Sequence, residues 1–411
     1  MHDDIKTLRK LAVIYYRMAN NEDNYENIRL HRAVNDLRQI RPVVLIDELP
    51  WHEMGIGDEL KLVCQDPWLQ RFEWFFRSQI YKKRHMPADM IMQPYLPVQR
   101  VIHTKDLGLE VSESILATDN ESSIVSHDYK DILSTEEDLE KIKDPVVIYD
   151  HEKTMKNYEK IGDILGDIIP VKLTGIPYLG VVTWDDIARY RGVTNLLIDL
   201  AERPEFMHMI VRKLTDAKIS YMEQIEALGL FDNDPYPLHC TPIHTSQLPS
   251  GDYMGERITL KDIWGRGTAQ IFASVSKQMH YEFDIEYMKE TIGRCGLSYY
   301  GCCEPLDKKI DILEKLPNLR KISITPWADV RAAAEGINTK YVLSSKPNPA
   351  TVSESILDKD NLRKEIKAIL SACKEYGCSC DIVLKDISTC HRRPENIFEW
   401  EKTVMELIKC F

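Results

Sequence analysis

The second half of the chain alternates between short apolar segments that end in polar residues and amphipathic helical segments. No other feature constrains the fold as strongly. Four such units follow one another, with predicted strands at Leu297–Gly301, Lys321–Ile324, Tyr341–Ser344 and Asp381–Leu384 and predicted helices at 307–315, 328–335, 360–376 and 394–409. Parallel strands joined by right-handed helical crossovers produce this pattern. We therefore predict an α/β fold, with a closed (β/α)₈ TIM barrel as the preferred architecture and an open doubly wound sheet as the alternative.

The first half of the chain adds two features to this barrel. Apolar residues recur at helical spacing through residues 1–40, which predicts a helical N-terminal extension that ends before a predicted strand at Val43–Ile46. Residues 95–145 combine an acidic, Ser-rich stretch with short strand-like pieces, which predicts an inserted β-hairpin excursion that covers a site. With these additions, the 411 residues have the length of one barrel domain spanning 1–411.

Charge and apolar patterning exclude several classes of protein. Lys and Arg number 53 and Asp and Glu number 65, which gives a net charge of −12. Such a surface repels phosphate backbones, so we predict no nucleic-acid partner. No apolar run reaches the ~18 residues of a membrane span, and the first residues do not resemble a signal peptide. We therefore expect a cytoplasmic protein whose ten cysteines are reduced. The aromatic-rich segment 66–82 predicts a helix that packs in the core or supports a homodimer.

Polar residues follow the predicted strands directly, where a barrel places its working groups. In the second half these are Cys302, Cys303 and Glu304 after the first of the four strands, and Asp329, Lys346, Asp386 and Cys390 after the others. Earlier in the chain they are Asp47, Glu48, Trp51, His52 and Glu53 after the first predicted strand, and Asp232, His239 and Cys240 in a Pro-rich loop. Thiolates, an imidazole and a carboxylate at one barrel mouth suit zinc. The alternative is a buried Cys302–Cys303 pair that binds no metal.

The remaining candidates each have a chemical and a structural interpretation. Glu304 is a candidate metal ligand or catalytic base, or a carboxylate that stabilises a helix N-terminus. Asp329 and Asp386 are candidate acid–base groups, or structural acids of the barrel rim. The substrate-binding candidates are Lys346, which would neutralise a substrate carboxylate, Trp51, His52 and Asp232. The alternative for these four is that they are solvated loop and surface residues.

Several segments resemble the uroporphyrinogen decarboxylase superfamily. They are Arg41-Pro42-Val43-Val44 after the helical start, Val182-Thr183-Trp184, Leu197–Pro204 with the helix that follows, and Arg393-Pro394-Glu395-Asn396-Ile397. The resemblance covers most of the chain after residue 145 and implies a (β/α)₈ barrel. One class in this superfamily decarboxylates a porphyrinogen without a cofactor. The other class consists of zinc methyltransferases that exchange a methyl group with a corrinoid protein.

The decarboxylase class fits this chain poorly. Its Arg-rich, Gly-flanked signature is not found after Arg41, where the chain instead reads Asp47-Glu48-Leu49-Pro50-Trp51-His52. An acidic loop at this place would repel a polycarboxylate substrate.

The methyltransferase class carries His-x-Cys-Gly at one strand end and a late Cys before the terminal Pro-Glu-Asn helix. Here Tyr300-Gly301-Cys302-Cys303-Glu304 stands at the first position, so that the Cys is present twice and the His is absent. Cys390 matches the late Cys. The resemblance therefore implies zinc ligands at Cys302, Cys303 and Cys390, with His239 supplying the missing imidazole or Glu304 taking its place. The departure also leaves open a descendant that binds no metal.

The resemblance as a whole implies a zinc-assisted, corrinoid-dependent methyltransferase, the demethylase component that takes a methyl group from a small, methoxylated donor. Zinc would act as a Lewis acid on the atom that bears the methyl group, and a corrinoid on a partner protein would accept the methyl group. The opposite direction, from corrinoid to a zinc-activated thiol, stays open. Two other classes remain. One is a cofactor-free decarboxylase or lyase that uses Asp329, Asp386 and Lys346 as acid–base groups, and the other is a non-catalytic barrel that binds a small molecule.

Overall fold

A parallel sheet of seven strands forms the centre of the molecule. It is seen in a computed structural model that describes residues 2–105, 107–117, 125–234, 238–251, 253–255 and 257–411. The strands are β1 Val43–Ile46, β2 Leu96–Gln99, β3 Val101–Lys105, β4 Glu113–Leu116, β5 Ser126–Tyr129, β6 Val146–Asp150, β7 Val171–Thr174, β8 Tyr178–Val181, β9 Trp264–Gly267, β10 Leu297–Tyr300, β11 Leu319–Ile324, β12 Val342–Ser345 and β13 Ser379–Leu384. The order in the central sheet is β1-β13-β12-β11-β10-β9-β8.

The predicted α/β fold is confirmed, because all six pairings within the central sheet are parallel. Spatial neighbours follow one another along the chain, except that β1 lies beside β13, the last strand. This is the strand order of a barrel. Within the described residues, however, β8 and β1 are the two edge strands of the sheet, and no strand pairing joins them.

Helices cover the outer face of this sheet. The α-helices are α1 His2–Ala19, α2 Glu22–Asn35, α3 Pro67–His85, α4 His151–Leu165, α5 Thr183–Arg191, α6 Val193–Glu202, α7 Pro204–Ala227, α8 Lys277–His280, α9 Glu286–Met288, α10 Ile310–Leu313, α11 Val330–Ile337, α12 Lys359–Tyr376 and α13 Glu395–Lys409. Ile382 of β13 is fully buried in one apolar core with Ile366 of α12 and Trp400 of α13. Apolar burial on this scale is the main favourable term in folding.

Local sequence explains where α12 begins and ends. The Asp358 side chain accepts hydrogen bonds from the backbone N–H groups of Asp360 and Asn361, which satisfies two donors that the first turn leaves unpaired. The helix ends at Gly377, whose φ of +70° is the left-handed conformation that a residue with a Cβ rarely adopts.

Strand β9 is not predicted by the sequence pattern. Among its residues Trp264-Gly265-Arg266-Gly267, only Trp264 has the branched or aromatic side chain that is typical of a strand. The two glycines are required by packing, because a Cβ on Gly265 would lie 2.8 Å from Cβ of Ile292 and a Cβ on Gly267 would lie 2.7 Å from its Cδ1. The close approach of the 292–294 turn therefore takes the place of side chains on this strand.

A loop fills the inner face of the sheet, and we call residues 238–248 the plug loop. The indole N–H of Trp264 donates to the carbonyl oxygen of Ile243 at 3.1 Å. The ammonium of Lys321 donates to the carbonyl oxygen of Pro242 at 2.8 Å. The inner face thus carries polar side chains that satisfy the backbone of the plug loop, as buried backbone groups require.

The N-terminal helices and the insertion pack around the sheet. α1 and α3 share a separate apolar cluster with α4. α3 is the aromatic-rich helix that was predicted at 66–82, and its Phe76 is fully buried within this cluster. Residues 95–145 contain β2, which pairs with β7, together with β3, which pairs antiparallel with β6, and the hairpin β4–β5. Residues 106 and 118–124 of the insertion, and 235–237 of the Pro-rich loop, lie outside the described residues.

Three segments differ from what their apolar spacing indicates. The spacing over 281–293 indicates a helix, but the structure has a run of short turns, with a π-turn at 281–285, α9 and a 3₁₀ turn at 292–294. The predicted helix 307–315 is reduced to α10, and the apolar run 228–231, which indicates a strand, forms a single bridge between Phe231 and Ile176. Short apolar runs give ambiguous periodicity, and tertiary packing then decides their conformation. No helix in the described part of the chain has both the length and the apolar character needed to cross a membrane.

Candidate active site

Seven polar side chains meet at one edge of the inner face, and we call them the thiol site. They are Cys302 and Cys303 after β10, Lys385 and Asp386 after β13, Glu48 after β1, and His239 and Cys240 of the plug loop. Because the carboxyl ends of parallel strands lie at the same edge of a sheet, residues far apart in the chain converge here.

The centre of the thiol site is a contact between two sulfurs and an ammonium group. Sγ of Cys302 lies 3.7 Å from Sγ of Cys303. Nζ of Lys385 lies 3.2 Å from Sγ of Cys302 and 3.7 Å from Sγ of Cys303. The Lys385 side chain is only 3% exposed and also contacts Asp386 Oδ2 at 2.7 Å. A buried ammonium group at this distance stabilises a negative charge on sulfur.

The two sulfurs therefore differ in charge. The hydrogen bond with Cys303 lowers the pKa of Cys302 most, and the His239 imidazole and the Lys385 ammonium lower it further, against the opposing effect of burial. The same hydrogen bond, together with burial, raises the pKa of Cys303. Burial alone would lower the pKa of Lys385, but the charge on Cys302 raises it. At neutral pH the site holds a Cys302 thiolate, a Cys303 thiol and a charged Lys385.

Two carboxyl groups complete the other side of the site. The backbone N–H of Asp386 donates to Oε2 of Glu48 at 3.2 Å, and Oε1 of Glu48 lies 3.2 Å from Nδ1 of His239. Burial and the hydrogen bond to Asp386 raise the pKa of Glu48. Burial alone would raise the pKa of Asp386, but the hydrogen bonds with Glu48 and Lys385 lower it. When the pair holds one proton, that proton is therefore on Glu48.

Three residues of the thiol site have a strained backbone. φ is +50° at Glu48, +60° at Cys240 and +55° at Asp386. Residues with a Cβ are uncommon in this left-handed region, and such strain collects at functional sites, where the surrounding structure holds it in place. The backbone thus favours a functional interpretation of this edge of the sheet independently of the side-chain chemistry.

One group in the described part of the chain has the arrangement of a metal centre. Ligand atoms of Glu48, His239 and Cys240 all lie within 4.8 Å of one another. Carboxylate oxygen, imidazole nitrogen and cysteine sulfur are all zinc ligands, so the donor set fits zinc. Burial raises the pKa of Cys240, and a metal ion would therefore have to displace the proton of this thiol on binding.

Of the predicted metal ligands, the structure brings His239, Cys302 and Cys303 into the thiol site. Cys390 has a different surrounding, since its backbone N–H donates to Oε2 of Glu53 at 2.6 Å. Burial raises the pKa of Cys390 to about 11, which keeps this sulfur protonated. Sequence reasoning did not assign Glu48 or Cys240 as ligands. The signal for Glu48 was its position directly after a predicted strand, and the signal for Cys240 was its neighbour His239.

The predicted catalytic acids fall into three different surroundings. Asp386 belongs to the thiol site. Glu304 is fully buried and accepts hydrogen bonds from Thr268 Oγ1 at 2.8 Å and from the backbone N–H of Cys302 at 2.9 Å. Burial raises the pKa of Glu304. Through its hydrogen bonds to Thr268 and Cys302, the Glu304 side chain links the ends of β9 and β10. Asp329 caps α11, where its side chain accepts from the N–H groups of Arg331 and Ala332.

A cavity of about 360 Å³ opens beside the thiol site and is large enough for a small molecule. Its lining includes Cys302, Cys303, Lys346 and Trp327. Nζ of Lys346 donates to the carbonyl oxygen of Cys240 at 2.7 Å and to Oγ of Ser344 at 2.7 Å. Trp327 is 72% exposed at the cavity rim.

The other predicted substrate-binding residues make structural contacts. Trp51 packs edge-on against Trp74, with ring centroids 5.2 Å apart. His52 lies beside Glu53, with Nε2 3.6 Å from Oε1. Asp232 accepts from the backbone N–H of Gly175 at 2.9 Å and shapes the start of β8.

Comparisons with known proteins give little further information. No family model matches the chain, and no curated protein matches it. Among solved structures, a methyltransferase from Methanosarcina mazei aligns with 92% of this chain and 97% of its own, at 11% sequence identity and a TM-score of 0.49. Similarity at this level assigns neither a family nor an activity to the chain.

Proposed function

We propose that the protein is a methyltransferase that moves a methyl group between a small methylated substrate and a corrinoid protein, assisted by zinc at the thiol site. The observation that supports the proposal most directly is the convergence of Glu48, His239 and Cys240, whose ligand atoms lie within 4.8 Å of one another beside a cavity. The segments that resemble the zinc methyltransferases of the uroporphyrinogen decarboxylase superfamily favour the same chemistry.

The proposal assigns the zinc to ligands from three places in the fold, after β1, in the plug loop and after β10. Glu48, His239 and Cys240 would hold the ion, with the Cys302 sulfur beside His239 as a further donor. When bound, zinc supplies a Lewis acid that activates the atom bearing the methyl group. This ligand set shares His239 and Cys302 with the set that the resemblance implies, and it replaces Cys303 and Cys390 by Glu48 and Cys240.

The remaining residues of the thiol site have their own tasks in this proposal. Lys385 stabilises the Cys302 thiolate, from 3.2 Å. Glu48 would lose its proton on binding zinc, and the neighbouring Asp386 would remain as a carboxylate that can take up or release a proton. The 360 Å³ cavity receives the methylated molecule, and its exposed Trp327 offers an apolar surface at the rim.

The proposal also includes a partner and an architecture. A corrinoid is too large for this cavity, so it would approach the open edge of the inner face on a separate protein. We propose that the central sheet closes as a barrel, since β1 lies beside the last strand β13 and the order is otherwise sequential. A reducing cytoplasm would keep Cys302 and Cys303 as thiols. The proposal also keeps the homodimer that the aromatic-rich segment 66–82 suggests.

A second candidate function is metal-free chemistry at the Cys302 thiolate. The observation that favours it is the Lys385 ammonium, which contacts both sulfurs and already neutralises the charge that a divalent ion would neutralise. In this alternative Asp386 serves as the acid–base group, as in the predicted cofactor-free lyase. We leave Asp329 out of this alternative, since its side chain accepts hydrogen bonds from the first turn of α11.

Metal analysis separates the two candidates. The protein is purified with and without added zinc, and the metal is counted per chain in the wild type and in His239→Ala, Cys240→Ala and Cys302→Ala. Cys378→Ala is the matched control, since this buried thiol donates to the carbonyl oxygen of Ala334 and lies outside the thiol site. We expect about one zinc per chain in the wild type and the control, with loss of the metal in the His239 and Cys240 variants.

Activity is tested in the same set with a methoxylated aromatic donor and free cob(I)alamin as acceptor. Zinc-dependent methylation of the cobalamin that disappears in the His239 and Cys240 variants supports the proposal. If the wild type binds no zinc after loading, the zinc site is refuted. If only Cys302→Ala loses the metal, the ligand set that we propose is wrong and Cys302 is the main ligand. Full activity of a chelated enzyme would favour the metal-free candidate.

A further inference from the structure

Arg266 is a buried cation for which the described residues provide no carboxylate partner and no hydrogen-bond acceptor. It lies in the middle of β9, and its side chain points to the inner face beside Tyr299 of β10. The residue is 8% exposed, and its Nε has no hydrogen-bond acceptor. Within the described ranges, Arg266 makes neither an ion pair nor a hydrogen bond through any of its nitrogens.

The Cys302 thiolate attracts Arg266 electrostatically but accepts no hydrogen bond from it, so the buried Nε of Arg266 still lacks an acceptor. A guanidinium group stays protonated even when it is buried, so it cannot avoid the penalty of burial by releasing its proton. Buried charges in proteins are therefore paired or bound to a ligand. By contrast, the fully buried Lys321 on β11, two strands from Arg266, has an anionic partner, Asp381 Oδ2 at 2.7 Å.

The packing beside Arg266 is looser on one side than on the other. The residue beside Arg266 on β8 is Gly180. A Cβ built on Gly180 would meet nothing closer than Cε2 of Tyr178 at 3.8 Å. The position next to Arg266 on β8 therefore has space for at least a methyl group, whereas Tyr299 fills the position on β10.

A second cation on the same face lacks a carboxylate partner. Lys346 is 3% exposed, and its ammonium donates to two neutral oxygens, those of Cys240 and Ser344. Arg266 lies on β9, next to β10, and Lys346 follows β12, two strands away on the other side of β10. The inner face near Cys302 thus carries two buried cations that have no carboxylate of the described residues in contact with them.

We propose that Arg266, together with Lys346, binds the carboxylate of the substrate, so that the substrate class is a methylated carboxylic acid whose other end reaches the thiol site. A guanidinium fork matches a carboxylate in a bidentate geometry, which would also orient the substrate. The inference deepens the proposed function and rests on it for the reaction. The anion site itself is tested without reference to zinc or methyl transfer.

The test compares two alkylating agents that attack the same sulfur. Iodoacetate is anionic and iodoacetamide is neutral, and each forms an S–C bond with the Cys302 thiolate as iodide leaves. The ratio of the two rates at Cys302, located by peptide fragmentation and mass spectrometry, reports the local attraction for a carboxylate. Changes in the nucleophilicity of the sulfur cancel in this ratio. The protein is treated with chelator beforehand, so that any metal is absent from all samples.

We expect the ratio at Cys302 to exceed that of glutathione by about tenfold or more, and Arg266→Gln to lower it by a similar factor. Arg266→Lys should retain part of the preference, because it keeps the charge and loses the fork. Arg320→Gln is the matched control, since Arg320 lies at the opposite end of β11 and donates to the carbonyl oxygen of Asn35. An unchanged ratio in folded Arg266→Gln would overturn the proposal.

A second measurement uses the wild type alone, in case Arg266→Gln does not fold. Benzoate, benzamide and inorganic phosphate are each added as competitors of iodoacetamide at Cys302. Slowing by benzoate but not by benzamide supports a carboxylate site. Slowing by phosphate as strong as that by benzoate would replace the carboxylate by a phosphate ester, and equal slowing by benzoate and benzamide would refute anion recognition. If the protein takes up no zinc in the metal analysis but still shows the carboxylate preference, the proposed function is contradicted and the anion site is supported.

Discussion

The two faces of the central sheet differ in chemistry, although each strand contributes residues to both. On the outer face, Ile322, Leu343 and Leu384 are fully buried in one continuous apolar core with the helices. On the inner face, the same strands carry Lys321, Ser344 and Lys385. Successive side chains of a strand point to opposite faces, so one short sequence builds a stabilising layer and a polar layer at once.

The difference shows how stability and function are divided in this molecule. The outer face is satisfied by contacts that any apolar side chain of suitable size can make. The inner face needs specific partners, such as the plug loop for Lys321 and Lys346. Substitutions on the outer face should therefore change stability alone, whereas substitutions on the inner face should act through charge and hydrogen bonding.

The largest effect is expected from breaking the buried ion pair of the inner face. Lys321→Met leaves the Asp381 carboxylate fully buried without its partner at 2.7 Å, and we expect the free energy of unfolding to fall by about 3–5 kcal/mol. Urea denaturation measures this loss. In the double variant Lys321→Met/Asp381→Leu both charges of this pair are removed, so much of the loss should be recovered. A double variant that is less stable than the single one would contradict this account.

The matched change on the outer face creates a cavity. Leu384→Ala removes a fully buried side chain that precedes Lys385, and it should lower the free energy of unfolding by about 2–5 kcal/mol. The iodoacetate-to-iodoacetamide ratio at Cys302 should stay at the wild-type value, because no charge changes. A shifted ratio in this variant would show that the two faces are coupled.

The N-terminal end of the inner face predicts a dependence on pH. His31 of α2 is 2% exposed, its Nε2 donates to the carbonyl oxygen of Asp89, and Nδ1 has no partner. Burial, opposed by Asp89, lowers the pKa of His31 from 6.5 to about 4. Below pH 6.5 His31 becomes protonated in the unfolded chain but stays neutral in the folded protein. Stability is thus lost as pH falls from 6.5 towards 4, by about 3 kcal/mol.

Comparison of the wild type with His31→Gln isolates this contribution. The variant cannot take up the proton, so the difference in urea midpoint between the two proteins should change in the variant's favour between pH 7 and pH 4.5. A difference that is constant across this range would show that His31 is not buried as a neutral ring.

The smallest effect is expected at a strand end that belongs to neither face of the site. Asp329→Ala removes the cap of α11 and should lower the free energy of unfolding by about 1 kcal/mol. Zinc content and the alkylation ratio should not change. A loss of methyl transfer at normal stability would show instead that Asp329 acts as an acid–base group, the role that its position after a strand predicts.

Much of the fold follows from local patterns in the sequence. The strands at Val43–Ile46 and the four of the second half were predicted because short apolar runs between helical segments are local signals. Strand β9 was not predicted, because its two glycines are dictated by the approach of Ile292 rather than by strand propensity. The candidate site was predicted in part, since Cys302, Cys303, His239 and Asp386 were identified from their positions after strands or in the loop.

The partners of those residues could not be read from the sequence. Lys385 directly follows a strand, yet only the structure brings its ammonium within 3.2 Å of a sulfur on β10. Glu48 and Asp386 are 338 positions apart in the chain and meet because β1 pairs with β13. No local pattern encodes which strands become neighbours.

The sequence by itself determined the α/β class, the direction of the strands and the apolar outer layer. Periodicity and burial of apolar residues act over a few neighbouring positions, so they are legible in the chain. Only the tertiary structure decided the charge on Cys302, the grouping of Glu48, His239 and Cys240, and the unpartnered state of Arg266. These properties depend on distances between segments that strand order and the plug loop set, and electrostatic interactions follow those distances rather than position in the chain.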